Sequence, residues 1–382
     1  MGRNSYYNST YDSKNYGSKK DRQANRQSIF RIIVRILFGV LSVCFAVILA
    51  LTLLSPVMNP EVWWAFPFLA VGAPIIYIVN FATAMVWLVR WRWKFAMPII
   101  ILLLLGSGKI SRFAKMDISN HYGEANYRGM TKIMSYNIRS HFNDDGEWSS
   151  TDLAQYIDSI APDIFCLQEL RHQKLFDELS PKFQSYNFAL SKNMGIYTKY
   201  PIVAKSENAQ PNQSSESKTM WADIKIGGDT IRVFNNHLES TMIKQKDDQY
   251  ITSREFIADS LREDKFTDMI SRYMNSSISR SQYADSLARI ITESPYRVVV
   301  CGDFNDTPMS YTFQTIAGGL NDSFVECGIG YAYTYRGFLN TIRIDYILGD
   351  DGIEFKSYKI DTDNILSDHH PVIAHFILTK NN

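Results

Sequence analysis

Five short polar clusters stand beside apolar, strand-like runs in this 382-residue sequence. Gly302-Asp303-Phe304-Asn305 follows Val298-Val299-Val300-Cys301. The others are Ser135-Tyr136-Asn137, Leu167-Gln168-Glu169, Asn236-His237-Leu238 and Ser367-Asp368-His369-His370-Pro371. A carboxylate beside a carboxamide suits a divalent cation and a phosphate oxygen. One Gly-Asp pair only ends a strand. Five clusters at the ends of five strands imply one active site along one sheet edge.

Each residue type carries its own chemistry and a blander alternative. A carboxylate such as Glu169 at the end of a buried strand is costly unless paired or metal-bound; the alternative is an ion pair with Arg171 or Arg139. The Asn137 amide can ligate a cation or donate to a phosphate oxygen, or simply shape a turn. His237 leaves a strand beside other polar groups, which suits a phosphate contact or a proton donor better than a core histidine. His369 lacks a local activating partner and needs a carboxylate from elsewhere. His370 reads as a surface histidine and His375 as a strand residue. Arg139 adds a phosphate-seeking guanidinium. Tyr335, Arg336 and Arg343, from the Tyr333–Gly337 loop and the strand that follows it, can stack on a base, hold a second phosphate, or only pack and solvate.

These residues need a scaffold. The apolar pattern predicts strands at Lys132–Asn137, Ile164–Leu167, Tyr186–Leu190, Met194–Thr198, Met220–Ile226, Thr230–Asn236, Arg297–Cys301, Ile344–Leu348, Glu354–Lys359 and Val372–Leu378. It predicts helices at Asp152–Ile160, Gln173–Leu179 and Ser281–Glu293, with another inside Ser253–Met274. Many strands with helices between them suit two packed sheets flanked by helices. The polar stretch Ser240–Ser279 reads as a helical insertion on the rim of the site or a solvated helical hairpin. Residues 109–130 read as a linker, and 131–379 as the catalytic domain.

The formal net charge of +1 conceals an asymmetry. Residues 1–130 carry 15 Lys and Arg against 5 Asp and Glu, a balance of +10; residues 131–382 carry 25 against 34, a balance of −9. An acidic domain argues against tight, non-specific binding to a nucleic-acid backbone. The four cysteines show neither zinc spacing nor a disulfide framework, and read as small buried apolar residues.

The N-terminal third carries the membrane signal. Residues 1–35 read as a disordered basic tail. Residues 36–108 read as a transmembrane region with spans at 36–54, 62–89 and 95–108. Trp63, Trp64, Trp87, Trp91 and Trp93 fall near span ends, as an interfacial belt does. The basic tail places the N-terminus in the cytoplasm. Three spans then carry the catalytic domain outside. The short third segment is the deciding one: Lys109, Arg112 and Lys115 favour inside, and the run 98–105 favours spanning.

In order and spacing, Met134-Ser-Tyr-Asn137, Leu167-Gln-Glu169, Asn236-His-Leu238, Gly302-Asp-Phe-Asn305, Arg343-Ile-Asp345-Tyr346 and Ser367-Asp-His369 resemble the endonuclease/exonuclease/phosphatase superfamily. The resemblance spans Thr131 to Leu378. It implies an α/β fold, a four-layer α/β sandwich of two packed mixed sheets flanked by helices. It implies Mg²⁺, with Mn²⁺ as a substitute, held by Glu169 as the principal ligand, with Asn137 and Asp368 completing the oxygen set. By the same resemblance Asp303 deprotonates the attacking water, Asn305 donates to a non-bridging oxygen, and Asp345 orients His369. His237 matches the deoxyribonuclease and sphingomyelinase branches. Arg139 departs from the apurinic-endonuclease branch, which has an acidic residue there. The implied partners are the lipid bilayer and a phosphodiester, either nucleic acid or a lipid or small-molecule head group. A membrane-tethered binding module of the same fold, without catalysis, is the rival reading.

Overall fold

In the computed structural model, the described residues are 19–116, 127–139, 150–170, 180–206, 218–241, 262–337 and 340–379. Three apolar helices come first: α1 (Lys19–Leu54), α2 (Ala65–Val89) and α3 (Trp93–Leu105), followed by the single turn α4 (Ser107–Ile110). Helix α1 begins inside the segment expected to be a disordered tail. Residues 28–54 and α2 are long and apolar enough to cross a membrane, judged by length and composition. Helix α3 is apolar but only 13 residues long.

The strands are β1 (Ala114–Lys115), β2 (Thr131–Asn137), β3 (Ile164–Gln168), β4 (Asn187–Ser191), β5 (Met194–Thr198), β6 (Ile202–Lys205), β7 (Lys218–Ile226) and β8 (Asp229–His237). After them come β9 (Arg297–Asp303), β10 (Asn321–Asp322), β11 (Gly330–Tyr331), β12 (Asp345–Gly349), β13 (Ile353–Ile360) and β14 (Val372–Leu378). Helices α5 (Ser150–Ile160), α6 (Arg262–Thr292), α7 (Tyr311–Ile316) and α8 (Ser323–Cys327) lie between them. One six-stranded sheet has the order β10-β12-β9-β8-β7-β6 and the other β13-β14-β2-β3-β5-β4. Each contains one parallel pair, β8–β9 or β2–β3, flanked by antiparallel strands. This is the expected two-sheet sandwich.

Burial explains the layers. Every residue of β3 is buried, which is why the sequence shows an unbroken apolar run there. Ile133, Cys166, Ile196, Met220, Val233, Val299, Cys301 and Phe376 fill the space between the sheets. Leu153, Ala154 and Ile157 seal α5 onto the outer face of one sheet. Tyr283, Ala284, Leu287 and Ile291 seal α6 onto the other. The expected helix at 173–179 lies outside the described residues. The two helices expected around 253–274 and 281–293 are one, α6, with 31 residues.

The segment expected to be a linker is partly built into the domain. β1 pairs with β11, joining Ala114 to Tyr331 and Lys115 to Gly330. The Phe113 carbonyl accepts from the Ala332 N–H at 2.8 Å. Phe113 and Met309 share an apolar cluster with Leu49 of α1 and Ala70, Ala73 and Tyr77 of α2. The C-terminal end of α1, the N-terminal half of α2 and the segment after α3 therefore meet against the sandwich. At the opposite end of the bundle Trp87 stacks on Phe95 and tilts against Phe38.

Candidate active site

The register of one sheet lines up three site residues. His237 lies opposite Asp303, and Asp303 opposite Asp345, on adjacent strands β8, β9 and β12. Asn137 and Glu169 come from the ends of the parallel pair β2–β3 in the facing sheet. His369 precedes β14. The polar clusters therefore converge on one edge of the sandwich, as the sequence required.

Gly302 makes the approach of β8 and β9 possible. Its φ is 129°, and a Cβ there would lie 2.0 Å from the Asn236 carbonyl oxygen. Only glycine fits both conditions. Beneath the site Gln168 donates to Asn235 Oδ1 at 2.7 Å, and Asn235 donates to the Leu167 and Gly195 carbonyls at 3.0 Å each. This buried amide pair ties the sheets together directly under the reacting groups. In the sequence its one mark is that Gln168 lies in the Leu167–Glu169 motif and Asn235 precedes Asn236-His237-Leu238.

Asp303 is the hub. Its Oδ2 accepts from Asn137 Nδ2 at 2.9 Å and from Asn305 Nδ2 at 3.0 Å, while its Oδ1 accepts from the Asn305 N–H at 2.8 Å. His369 Nε2 lies 3.8 Å and His237 Nε2 3.9 Å from the same Oδ2. Burial pushes the Asp303 carboxyl up to about 7, against the pull of the His369 cation. His369 Nδ1 meets Asp345 Oδ2 at 3.0 Å. Burial alone would favour neutral His369, but Asp345 and Asp303 outweigh it and lift the imidazole to about 10. The bond to Asp345 fixes the ring so that Nε2 faces Asp303. Thr334 Oγ1 accepts from the Asp345 N–H at 3.0 Å and anchors that strand end.

Several residues take places that differ from expectation. Asn305, expected to donate to substrate, spends both amide hydrogens inside the protein, on Asp303 and on the Leu238 carbonyl at 3.0 Å. It holds the Asp303 carboxylate and the His237 loop in register. Arg343, expected at the substrate, is 1% exposed and forms a two-pronged pair with Asp322. That pair keeps its charge despite burial, so Arg343 is a framework residue. Asp368 is paired with Arg139, Nε to Oδ2 at 3.3 Å, on the rim. Arg336 donates to the Ser367 carbonyl at 3.2 Å, and the Tyr335 ring lies 5.1 Å from that of His369. Both therefore border the histidine loop.

Two carboxylate oxygens that share neighbours, Glu169 Oε1 and Asp303 Oδ2, are the candidates to receive a cation. Glu169 Oε1 lies 3.3 Å from Asn137 Nδ2 and 3.6 Å from His237 Nε2, the same two side chains that neighbour Asp303 Oδ2. Asp303, Asp345 and His369 also offer ligand atoms within 4.8 Å of one another. In that second group Asp345 and His369 already bond to each other, so the Glu169 side is the better oxygen site. The Asn137 oxygen accepts from the Arg139 N–H at 2.9 Å, leaving its NH₂ toward the carboxylates. Cys166 and Cys301 lie in the core between the sheets, so hard oxygen ligands face the site.

Known proteins share this fold. No curated protein matches the chain. A family model described as a domain of unknown function matches residues 34–113. An endonuclease/exonuclease/phosphatase family protein from Bacteroides thetaiotaomicron superposes with a TM-score of 0.50 at 18% identity, covering 66% of this chain and 98% of its own. One from Bacteroides vulgatus gives 0.50 at 20% identity, covering 66% and 100%. A mannosyl-6-phosphatase of Bacteroides thetaiotaomicron gives 0.48 at 18% identity, covering 65% and 100%. The model of the Endonuclease/Exonuclease/phosphatase family matches residues 134–369, from the strand of Asn137 to His369 itself. By that match the chain belongs to the endonuclease/exonuclease/phosphatase family, whose members are metal-dependent hydrolases of phosphoric esters.

Proposed function

We propose that this chain is a membrane-anchored, Mg²⁺-dependent phosphodiesterase that hydrolyses its substrate by direct attack of water. The observation that carries this reading is the line Asp345–His369–Asp303, with Asn137 and Asn305 donating to the same Asp303 carboxylate. Asp303 accepts the proton of the attacking water. Its raised pKa makes it a base suited to neutral pH. His369, held cationic by Asp345, stabilises the charge that grows on the phosphoryl oxygens. His237 lies between Glu169 and Asp303, where it can contact phosphate or protonate the leaving oxygen. Glu169 would hold the metal ion with the rim carboxylate Asp368 nearby, while Asn137, expected as a ligand, turns its NH₂ to Glu169 and Asp303 and would orient those carboxylates. A bound Mg²⁺ supplies Lewis-acid polarisation of the phosphoryl oxygen. Arg139, Tyr335 and Arg336 border the loop of Ser367 to His369, where they would meet substrate.

Two features support a lipid or small-molecule head group over bulk nucleic acid. Residues 131–382 carry a balance of −9, and the helices hold the enzyme at a membrane. We take the three helices as three spans, with the catalytic domain outside. The loop with Arg90, Arg92 and Lys94 lies at the end of the bundle remote from the sandwich. Near the sandwich, Lys109 donates to the Leu53 carbonyl, Arg112 to Gln314, and Lys115 to the Val325 and Glu326 carbonyls. These three charges serve docking, which weakens them as a signal for the cytoplasmic side. A reporter fused after Asn382 that is active only in the cytoplasm would refute this orientation.

The decisive experiment uses the full chain in detergent against a panel of phosphodiesters and phosphomonoesters. Chelation with EDTA should abolish turnover, and Mg²⁺ or Mn²⁺ should restore it. Undiminished hydrolysis after exhaustive chelation, or no hydrolysis of any phosphodiester, would overturn the proposal.

A further inference from the structure

Helix α6 presents a buried stripe at Tyr273, Ser277, Arg280, Ala284, Leu287 and Ile291, spaced alternately by four and three residues. This is the inward face of an amphipathic helix. One member breaks the pattern: Arg280 is 0% exposed. A guanidinium removed from water is costly unless its donors are satisfied. Two of its partners lie in the loops that leave the catalytic strands, and the third is on α6 itself. Nε faces Asp306 Oδ2 at 3.4 Å, NH1 donates to the Glu239 carbonyl at 3.0 Å, and NH2 donates to Ser277 Oγ at 3.0 Å. Ser279, the preceding residue, donates to the Glu239 carboxylate.

Glu239 is two residues from His237, and Asp306 is three from Asp303. Between them stands Asn305, a non-glycine residue in the left-handed region with φ 50°. Such a conformation persists when its surroundings over-determine it. Asp306 supplies that restraint, since its carboxylate faces Arg280 and its carbonyl accepts from Tyr346 OH at 2.8 Å. The same helix reaches the apolar bundle. Tyr273 OH donates to the Pro67 carbonyl at 3.2 Å, the Tyr273 ring lies 4.9 Å from that of Phe68, and Ser281 Oγ donates to Asn59 at 3.5 Å.

We infer that Arg280 is a positioning residue, the pin by which α6 holds the His237 and Asn305 loops in catalytic register and ties both to the helix bundle. It touches no reacting atom. Its effect on turnover, though not its structural role, rests on the phosphoesterase reading above.

The test uses the full chain in detergent with Mg²⁺ and bis(p-nitrophenyl) phosphate. Arg280→Met should lower kcat by about 10²-fold, the scale on which a small misplacement of reacting groups acts, and leave KM nearly unchanged. Arg280→Lys, which keeps the charge but loses the fork, should recover part of that loss. Tyr273→Phe, at the bundle end of the strut, should give a smaller loss in the same parameter. Hydrogen–deuterium exchange supplies an arm independent of turnover. In Arg280→Met, peptides covering 238–241 and 303–310 should exchange faster, while those covering β2 and β3 stay as in the wild type. Unchanged exchange in those loops would overturn the inference even if the wild type hydrolysed nothing. So would kcat within twofold of wild type, or a loss that merely tracks the unfolded fraction.

Discussion

The two parallel strand pairs meet the same requirement in different ways. β2–α5–β3 delivers Asn137 and Glu169, and β8–α6–β9 delivers His237 and Asp303. Helix α5 has 11 residues and buries Leu153, Ala154 and Ile157 against its sheet. Helix α6 has 31 residues and inserts a charged side chain between the catalytic loops. One crossover is held by apolar packing together with a hydrogen bond from Tyr156 to Asp361 at 2.8 Å. The other directs its hydrogen bonds at the loops that follow His237 and Asp303. The first half should therefore govern stability and the second should govern turnover.

Four tests sharpen that contrast, in falling order of effect. Asp303→Asn keeps the shape of the hub and removes the base; kcat should fall ~10³-fold or more, at the upper range for general-base loss. Steady-state kinetics with a matched thermal melt would check it, and residual activity within tenfold would exclude Asp303 as the base. His369→Ala and Asp345→Ala should each cost ~10²-fold, and the double variant little more than either, because they act as one unit. Multiplicative losses would show that the two act separately.

The pH profile comes next. The proposed mechanism needs Asp303 ionised and His369 protonated. The rate should rise about tenfold per pH unit toward a shoulder near 7, set by the raised Asp303, and fall above about 10 as His369 loses its proton. Asp345→Asn should draw the alkaline limb downward, since it removes the largest influence that raises His369. An alkaline limb that stayed in place would break the assignment. Last, Leu153→Ala in α5 should destabilise by roughly 2–5 kcal/mol as a core truncation, yet leave kcat of the folded fraction within about twofold. Denaturant melts with active-site titration would measure both. A large kcat loss there would erase the contrast between the halves.

Much of this was legible because strand ends and chemistry coincide in sequence. β9 runs straight from buried apolar residues into Asp303, so periodicity and motif agree. The pairing of His369 with Asp345 was legible only through the ordered motifs, since 24 residues separate them. Arg343 misled because a guanidinium beside a motif reads as a ligand contact; its partner Asp322 lies 21 residues earlier, outside any motif. Arg280 was invisible for the converse reason. It sits in a polar, charged stretch, and nothing local distinguishes it from solvated arginines. Asn305 is marked by its motif, but the destination of its amide hydrogens depends on a carbonyl 67 residues away.

The Phe113–Lys115 segment, stitched to Gly330–Ala332, sets how far the enzyme can reach. A free tether of 20 residues would let a catalytic domain roam about 25 Å from its anchor. Here contacts between the sandwich and the helices begin at Leu49 and continue through Phe113, leaving no slack between them. Were the helices in a bilayer, as proposed, the site would keep one height and one tilt over the lipid plane. The search for substrate would then become two-dimensional, and a target held above that height would be out of range however well its chemistry matched.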